Sequence, residues 1–314
     1  MTSTYLIYIL PFFFTLFLLF KLYYSTQPTT TKNPPPSPPK LPIIGNIHQL
    51  GPLLHRSFFS LSQRYGGRHL MLLHIGSVPS LVVSSAAAAH EIMQTHDLIF
   101  ATRPPIEMHK TIFYDLKEIS AAPYGEYFRQ AKKLMILNFL SSKKVQTFSR
   151  VREEQIANIL RKITKSSESN KAVNLSDLLS EHSNGVSYRS TFGKKYDEET
   201  REKMKKVVDK VLEIFSQFYY ADSIPQLGWI DQISGANAKV KAVAKDLDEF
   251  MEAAVEERLA SQKTGDQDLG EGVEPFIDAL FRIQKDGVLE GISFDREHVK
   301  ALLMVQFSRL FYNT

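Results

Sequence analysis

The residue types best suited to metal binding, redox chemistry and nucleophilic catalysis are absent from this chain or lack a productive spacing. There is no cysteine, which excludes disulfides and thiolate metal sites. The nine histidines show no H-E-x-x-H or similar ligand spacing, and His69 and His74 would face opposite sides of the strand between them. Neither a G-x-S-x-G elbow nor a glycine-rich phosphate loop is present. The sequence alone therefore predicts no metal site and no independent catalytic constellation.

The composition is that of an ordinary globular protein with a large core. The chain has 314 residues, of which 43% are hydrophobic and 23% charged, and its formal net charge is +4. Most lysines and arginines lie in mixed-sign helical stretches such as Arg201–Lys210, which is typical of solvated helix faces. We therefore expect no nucleic-acid partner.

The first 25 residues have the pattern of a membrane anchor. Tyr5 to Tyr24 is a nearly continuous apolar run, and about twenty helical residues span a bilayer core of about 30 Å. A cleaved secretory signal is the competing interpretation, but no Lys or Arg precedes the run and no A-x-A-like site follows it. The positive charges come after it, at Lys21, Lys32 and Lys40, which predicts a single-pass anchor at residues 1–25 with the bulk of the chain in the cytosol.

A proline-rich segment follows the expected anchor, over residues 26–42. Its sequence from Asn33 is N-P-P-P-S-P-P-K-L-P, and proline both fixes φ and lacks an N–H, so the segment is extended and semi-rigid. On composition it could be a ligand for an SH3-type domain or a spacer. Its position directly after the apolar run favours the spacer.

The rest of the chain is predicted to be mainly helical with a small sheet near its start. A helix over Ser57–Tyr65 precedes two short strands, Leu70–Ile75 and Leu81–Ser84, around the turn residues Gly76–Pro79. Ala86–Thr95 is predicted to be helical. Apolar residues at helical spacing then predict helices at 144–166, 174–191, 198–219, 236–262 and 273–285. We find no internal repeat.

Three stretches carry a resemblance to a known family, after an entry formed by P-I-I-G-N from Pro42. They are F-A-T-R-P from Phe100, A-P-Y-G-E-Y-F-R-Q-A-K from Ala122, and W-I-D from Trp229 with Gly235 and the helix end Asp278–Asp286. In this order they are similar to the N-terminal part of plant microsomal cytochromes P450, a family of specialised metabolism. The resemblance implies an incomplete cytochrome P450 fold over residues 43–304, preceded by one transmembrane helix.

The resemblance assigns haem contacts to the segment that begins at Ala122. In the family, an aromatic and a basic residue four positions apart share a helix face and reach a haem propionate. The basic role would fall to Lys132 and the aromatic role to Phe128, with Arg129 a weaker candidate pointing off that face. Phe128 stands where the family has tryptophan and lacks an indole N–H to donate.

The same resemblance suggests two regions that line a pocket for a hydrophobic small molecule, Pro105–Ile119 and Phe215–Ile224. Core packing is the alternative for any single residue in them. The candidate substrate-lining residues are Ile106, Met108, Ile112, Phe113, Phe215, Phe218 and Tyr219.

The similarity to the family stops near Met304. Where the family continues into an A-G-T-D-T sequence, this chain has V-Q-F-S-R-L-F-Y-N-T at residues 305–314, which we interpret as an aberrant tail. The family's E-x-x-R and P-x-R-F segments and its cysteine-bearing haem loop are also missing. Because a cysteine thiolate holds the iron and favours O–O cleavage in this family, we expect the chain as written to be truncated and inactive.

Two hypotheses of function follow. The first is a haem-dependent monooxygenase of the endoplasmic reticulum membrane, which would oxidise a hydrophobic plant metabolite with electrons from an NADPH-dependent reductase. The second is a catalytically dead, membrane-tethered remnant that interacts with the intact enzyme or the reductase. A weaker third interpretation, which ignores the resemblance, is an anchored helical scaffold.

Overall fold

The computed structural model describes residues 11–19, 33–66, 69–264, 269, 273–287 and 293–311, with the backbone alone for 263, 264 and 306–311. It divides into two compact units, residues 1–90 and 91–314. Residues 11–19 are helical, and their large apolar side chains are exposed. Within the described ranges, no helix combines the length and apolarity needed to cross a bilayer. Most of the run Tyr5–Tyr24 lies outside them.

The first unit is built on an antiparallel hairpin. Helix α1 (Leu54–Tyr65) precedes β1 (Leu70–Ile75) and β2 (Val78–Val83), with Leu70 paired to Val83 and Ile75 to Val78. The second strand begins earlier than predicted, so Pro79 lies within it. An antiparallel ladder leaves alternate residue pairs without mutual N–H bonds, which is compatible with proline there.

The described part of the proline-rich segment is bonded to this hairpin. The carbonyl of Pro36 accepts the Leu72 N–H at 2.8 Å. Fully buried Asn46 donates to the carbonyl of Pro39 at 3.1 Å and accepts the His74 N–H at 2.8 Å. These bonds fix the direction in which the chain enters the unit.

The second unit is almost entirely helical. After a short helix α2 (Ala86–His90), which closes the first unit, its helices are α3 (Asp97–Phe100), α4 (Glu107–Ile112), α5 (Glu126–Met135), α6 (Ser142–Thr147), α7 (Ser149–Glu168), α8 (Leu175–Phe192), α9 (Glu198–Phe215), α10 (Tyr220–Ser223), α11 (Trp229–Ile233), α12 (Ala236–Thr264), α13 (Phe276–Asp286) and α14 (Arg296–Phe311). Five-residue π-helical turns lie at Glu91–Thr95 and Ile136–Leu140, and a 3₁₀ turn at Pro225–Leu227. The five long helices predicted from periodicity are confirmed, with one interruption: Phe148 breaks the first of them and buries its ring 6.4 Å from that of Phe139.

Residue types at the helix ends explain several boundaries. Asn174 caps α8 by accepting the N–H groups of Ser176 and Asp177, and Gly193 ends the same helix in the left-handed region, at φ 72°. Asp197 caps α9 through the Thr200 N–H. These local signals are the reason that these boundaries fall within a few residues of the predicted ones.

The core of the second unit lies among α8, α9, α12, α13 and α14. Its fully buried side chains include Val211, Ile214, Met251, Leu280 and Leu302, one or more from most of these helices. Helices α4 and α5 pack on this core through Met108, Ile112, Leu134 and Met135. The core therefore supports α4 and α5, which carry several of the candidate residues.

Candidate haem-facing helix and adjoining cavity

Helix α5 presents the expected aromatic and basic pair on one face. The Lys132 ammonium nitrogen lies 5.8 Å from the centre of the Phe128 ring. Lys132 is exposed and Phe128 is half-buried, and no carboxylate in the described part of the chain forms an ion pair with Lys132. The pair is therefore available to an anionic partner.

Arg129 lies differently. Its guanidinium forms an ion pair with Glu126 on the preceding turn and sits 5.8 Å from the centre of the Tyr124 ring. Both members of the pair are exposed, and the hydrogen bond that Arg129 donates to Glu126 raises the pKa of Arg129. The structure brings Phe128 and Lys132 together and gives Arg129 a separate partner.

The loop that leads into α5 is held by a buried acid. Glu118 is fully buried, and its Oε2 accepts the Ser120 N–H at 2.9 Å, the Ser120 hydroxyl and the Ala121 N–H at 3.3 Å. Its Oε1 is buried and has no hydrogen-bond partner in the described part of the chain. Burial raises the pKa of Glu118, against the lowering effect of the Ser120 and Ala121 hydrogen bonds.

The start of the same loop has an unusual backbone. Tyr114, Asp115 and Leu116 all have positive φ, of 51°, 55° and 63°, a conformation in which non-glycine residues are strained. Three consecutive residues of this kind persist only when surrounding contacts hold them.

Those contacts come from α12 and α14. The Tyr114 hydroxyl donates to Asp248 at 2.8 Å, and buried Lys300 binds Asp248 and also Glu252, at 3.2 Å. The Lys300 ammonium lies 5.2 Å from the centre of the Tyr114 ring. Hydrogen bonds to Asp248 and Glu252 raise the pKa of Lys300 despite its burial. Sequence reasoning missed Glu118, Tyr114 and Lys300 because no local pattern marks a polar residue as buried.

The seven candidate substrate-lining residues divide into several environments. Ile112 and Phe113 are buried in the core, and Ile106 and Phe215 pack against it. The Phe215 ring lies 5.9 Å from that of Phe113, while Phe218 is exposed. Met108 and Tyr219 belong to the same core and also line a cavity.

This cavity, of about 600 Å³, is open to solvent and is lined by α4, the α9–α11 connection and the first turns of α12. Its wall mixes apolar and polar side chains. Among the polar ones, Glu107, Asp231 and Lys241 are charged, and the sequence analysis did not single out this trio. The volume is in the range of small-molecule sites.

One pair of residues suits a single propionate of a haem group. Lys132 would hold the propionate beside the Phe128 ring, because its ammonium has no carboxylate partner among the described residues. When bound, haem supplies oxygen activation. These 314 residues contain no cysteine and hence no thiolate for the iron, and in the described residues no group of His, Asp and Glu could hold a metal ion.

The fold is similar to about half of that of two solved structures. Two zebrafish cytochrome P450 structures, solved with progesterone and with abiraterone, align with TM-scores of 0.58 and 0.59 at 19% and 21% identity. Each alignment covers 81% of this chain and 55% or 54% of the other. At this identity the likeness concerns the fold alone.

Sequence comparison gives the family. The profile described as Cytochrome P450 matches residues 35–308. Cytochrome P450 736A117 of Prunus mume is 42% identical over 93% of this chain and 56% of its own length. Desmethylyatein synthase of Sinopodophyllum hexandrum is 40% identical over 93% and 58%, and cytochrome P450 71A3 of Solanum melongena is 39% identical over 96% and 80%. The chain belongs to the cytochrome P450 family, as the sequence motifs predicted, and it spans little more than half the length of most of these plant relatives.

Proposed function

We propose that this chain is the N-terminal, haem-facing part of a plant cytochrome P450 monooxygenase that oxidises a hydrophobic metabolite. The observation that supports this most directly is the pair on α5, Phe128 and Lys132. It lies inside the segment from Ala122 that resembles the family, and Lys132 has no carboxylate partner among the described residues. Family membership and the fold agree with it.

The finer parts of the proposal concern location and partners. The apolar run Tyr5–Tyr24 would anchor the chain in the endoplasmic reticulum membrane, with the rest in the cytosol. The exposed aromatic side chains of residues 11–19 support this, since such side chains gain by burial in lipid. An NADPH-dependent reductase would supply electrons. Protease protection of microsomes containing the chain tests the topology.

A haem titration tests the role of the α5 pair. We expect the purified chain to bind haemin, followed by absorbance, and Lys132→Gln to weaken binding about two- to fivefold, as for loss of one exposed ion pair. Lys133→Gln is the matched control, because this neighbouring exposed lysine points about 100° away around the helix. Phe128→Trp should tighten binding by restoring an N–H donor. Equal losses for the two lysine variants would contradict the assignment.

A second candidate is a haem-thiolate-deficient member of the family that acts by binding the intact enzyme or its reductase. These 314 residues, taken by themselves, contain no cysteine that could supply a thiolate. Under this candidate, and under our expectation of inactivity, the chain by itself shows no thiolate-type ferrous–CO spectrum. Co-precipitation of the reductase with the chain would favour the interaction role, while a thiolate-type spectrum would exclude it.

A further inference from the structure

Three charged side chains line the cavity beside α4. Two are carboxylates with partners in the protein, and one is a lysine without an ion-pair partner among the described residues. Glu107 forms an ion pair with Lys110 on its own helix. Asp231 is buried, and its two oxygens accept the Tyr220 N–H at 3.1 Å and the Ala221 N–H at 2.8 Å. Asp231 is therefore committed to backbone N–H groups of the fold, and Lys110 balances the charge of exposed Glu107.

Lys241 is the lysine of this cavity wall. It lines the cavity from α12, and within the described residues no carboxylate forms an ion pair with its ammonium group. The neighbouring lysines of α12 are paired, Lys239 with Glu213 at 2.5 Å and Lys245 with Glu249 at 3.7 Å. An unpaired lysine between paired ones leaves three N–H donors directed to a ligand or to water.

The rest of the wall offers apolar surface and further hydrogen-bonding groups. Met108 and Val240 are buried apolar residues, and the Tyr219 hydroxyl is committed to the Ile214 carbonyl at 3.1 Å, so that Tyr219 offers mainly its ring. The exposed amides of Gln232 and Asn237 lie on the same wall. A wall that combines apolar side chains with an unpaired ammonium group suits an amphipathic ligand with an acidic group.

We infer that this cavity binds a hydrophobic acid, with its apolar body on Met108, Tyr219 and Val240 and its carboxylate at Lys241. The inference rests on the proposed function, because it names the substrate class of that enzyme as a hydrophobic carboxylic acid. Lys241 is then the residue that selects the acid over the corresponding neutral ester.

The single tryptophan of the chain makes binding measurable. Trp229 lies on α11, whose residues Asp231 and Gln232 line the cavity. The probe is 11-(dansylamino)undecanoic acid, and its methyl ester is the matched neutral probe. Binding of either to the full purified chain is followed by energy transfer from Trp229 to the dansyl group.

We expect the acid to bind about two- to fivefold more tightly than the ester, since one ion pair with the exposed Lys241 distinguishes them. Lys241→Gln should remove this preference, and Lys241→Glu should reverse it. Lys245→Gln should leave it unchanged, because Lys245 is exposed and lies outside the cavity wall.

Equal binding of acid and ester by the unaltered chain would overturn the inference, as would equal loss of preference in the Lys241 and Lys245 variants. Absence of energy transfer from Trp229 would also overturn it. The probe binds without haem, so failure here is distinct from failure of the Lys132 titration, which tests the proposed function.

Discussion

Two substitutions of Glu118, in the loop before α5, should distinguish the hydrogen bonds of its carboxyl group from the pH dependence that its burial causes. Glu118→Ala removes the side-chain oxygen that accepts the Ser120 N–H and hydroxyl. The Ala121 N–H still has an acceptor, because it also donates to the backbone carbonyl of residue 118 at 3.1 Å. The unmade hydrogen bonds and the cavity left by the side chain together should lower the free energy of unfolding by about 2–4 kcal/mol.

Glu118→Gln should behave differently, because glutamine retains an oxygen for the Ser120 donors. Its NH₂ group would take the position of Oε1, which has no partner in the described part of the chain. A protonated Glu118 has the same defect at that position. At acidic pH the free energy of unfolding of Glu118→Gln should therefore match that of the unaltered chain within about 1 kcal/mol.

The free energies of unfolding of the unaltered chain and of Glu118→Gln should diverge as the pH rises. Burial raises the pKa of Glu118 in the folded chain, so above the unfolded value of about 4.3 the folded state holds a proton that the unfolded state has lost. The free energy of unfolding then falls by about 1.4 kcal/mol per pH unit until the folded pKa is reached, and stays level above it. Glutamine does not titrate, so its variant lacks this contribution.

Urea denaturation followed by circular dichroism, at several pH values between about 4 and 7, measures the difference between the two chains. Other titrating groups contribute to both and largely cancel in the difference. We predict that the unaltered chain loses stability relative to Glu118→Gln as the pH rises. A difference that does not change with pH, or one of opposite sign, would refute the burial argument.

Three further substitutions test other parts of the structure. Asp278→Asn should lower the free energy of unfolding, measured in urea, by about 3 kcal/mol. The reason is that buried Arg258 donates to both oxygens of Asp278, at 2.9 and 2.6 Å. A loss under about 1 kcal/mol would show that this pair contributes no more than a surface ion pair. Asn46→Ala should lower stability by about 2–3 kcal/mol and speed amide exchange at His74, whose N–H it accepts; unchanged exchange would contradict the role. Gly45→Ala should lower the melting temperature strongly, since Gly45 has φ 58° and a Cβ there would lie 2.2 Å from the backbone carbonyl oxygen of His74. An unchanged melting temperature would show that the backbone at this turn is not constrained.

The elements that the sequence predicted well are those with local signals. The helix over 174–191 is found at Leu175–Phe192, because Asn174 caps one end and Gly193 the other. The pairing of Phe128 with Lys132 follows from helical spacing once the segment is known to be helical. Such features depend on residues within one or two turns of each other.

The features that the sequence did not predict depend on distant contacts. The left-handed backbone from Tyr114 to Leu116 is held by Asp248 and Lys300, more than a hundred residues further on. Burial of Glu118 likewise depends on the core packed around the loop. Of the seven residues chosen as substrate-lining, Met108 and Tyr219 line the cavity beside α4, and a substrate contact for any of the seven stays a prediction.

The central claim is that these residues form the haem-facing N-terminal part of a cytochrome P450. The most direct test is a hybrid in which residues 35–308 replace their counterparts in the Prunus mume relative, which is 42% identical and supplies the part of its length that this chain does not cover. We predict that the hybrid binds haem, shows a thiolate-type ferrous–CO spectrum and loses haem faster with Lys132→Gln than with Lys133→Gln. A folded hybrid that binds no haem, beside an unaltered relative that does, would contradict the claim.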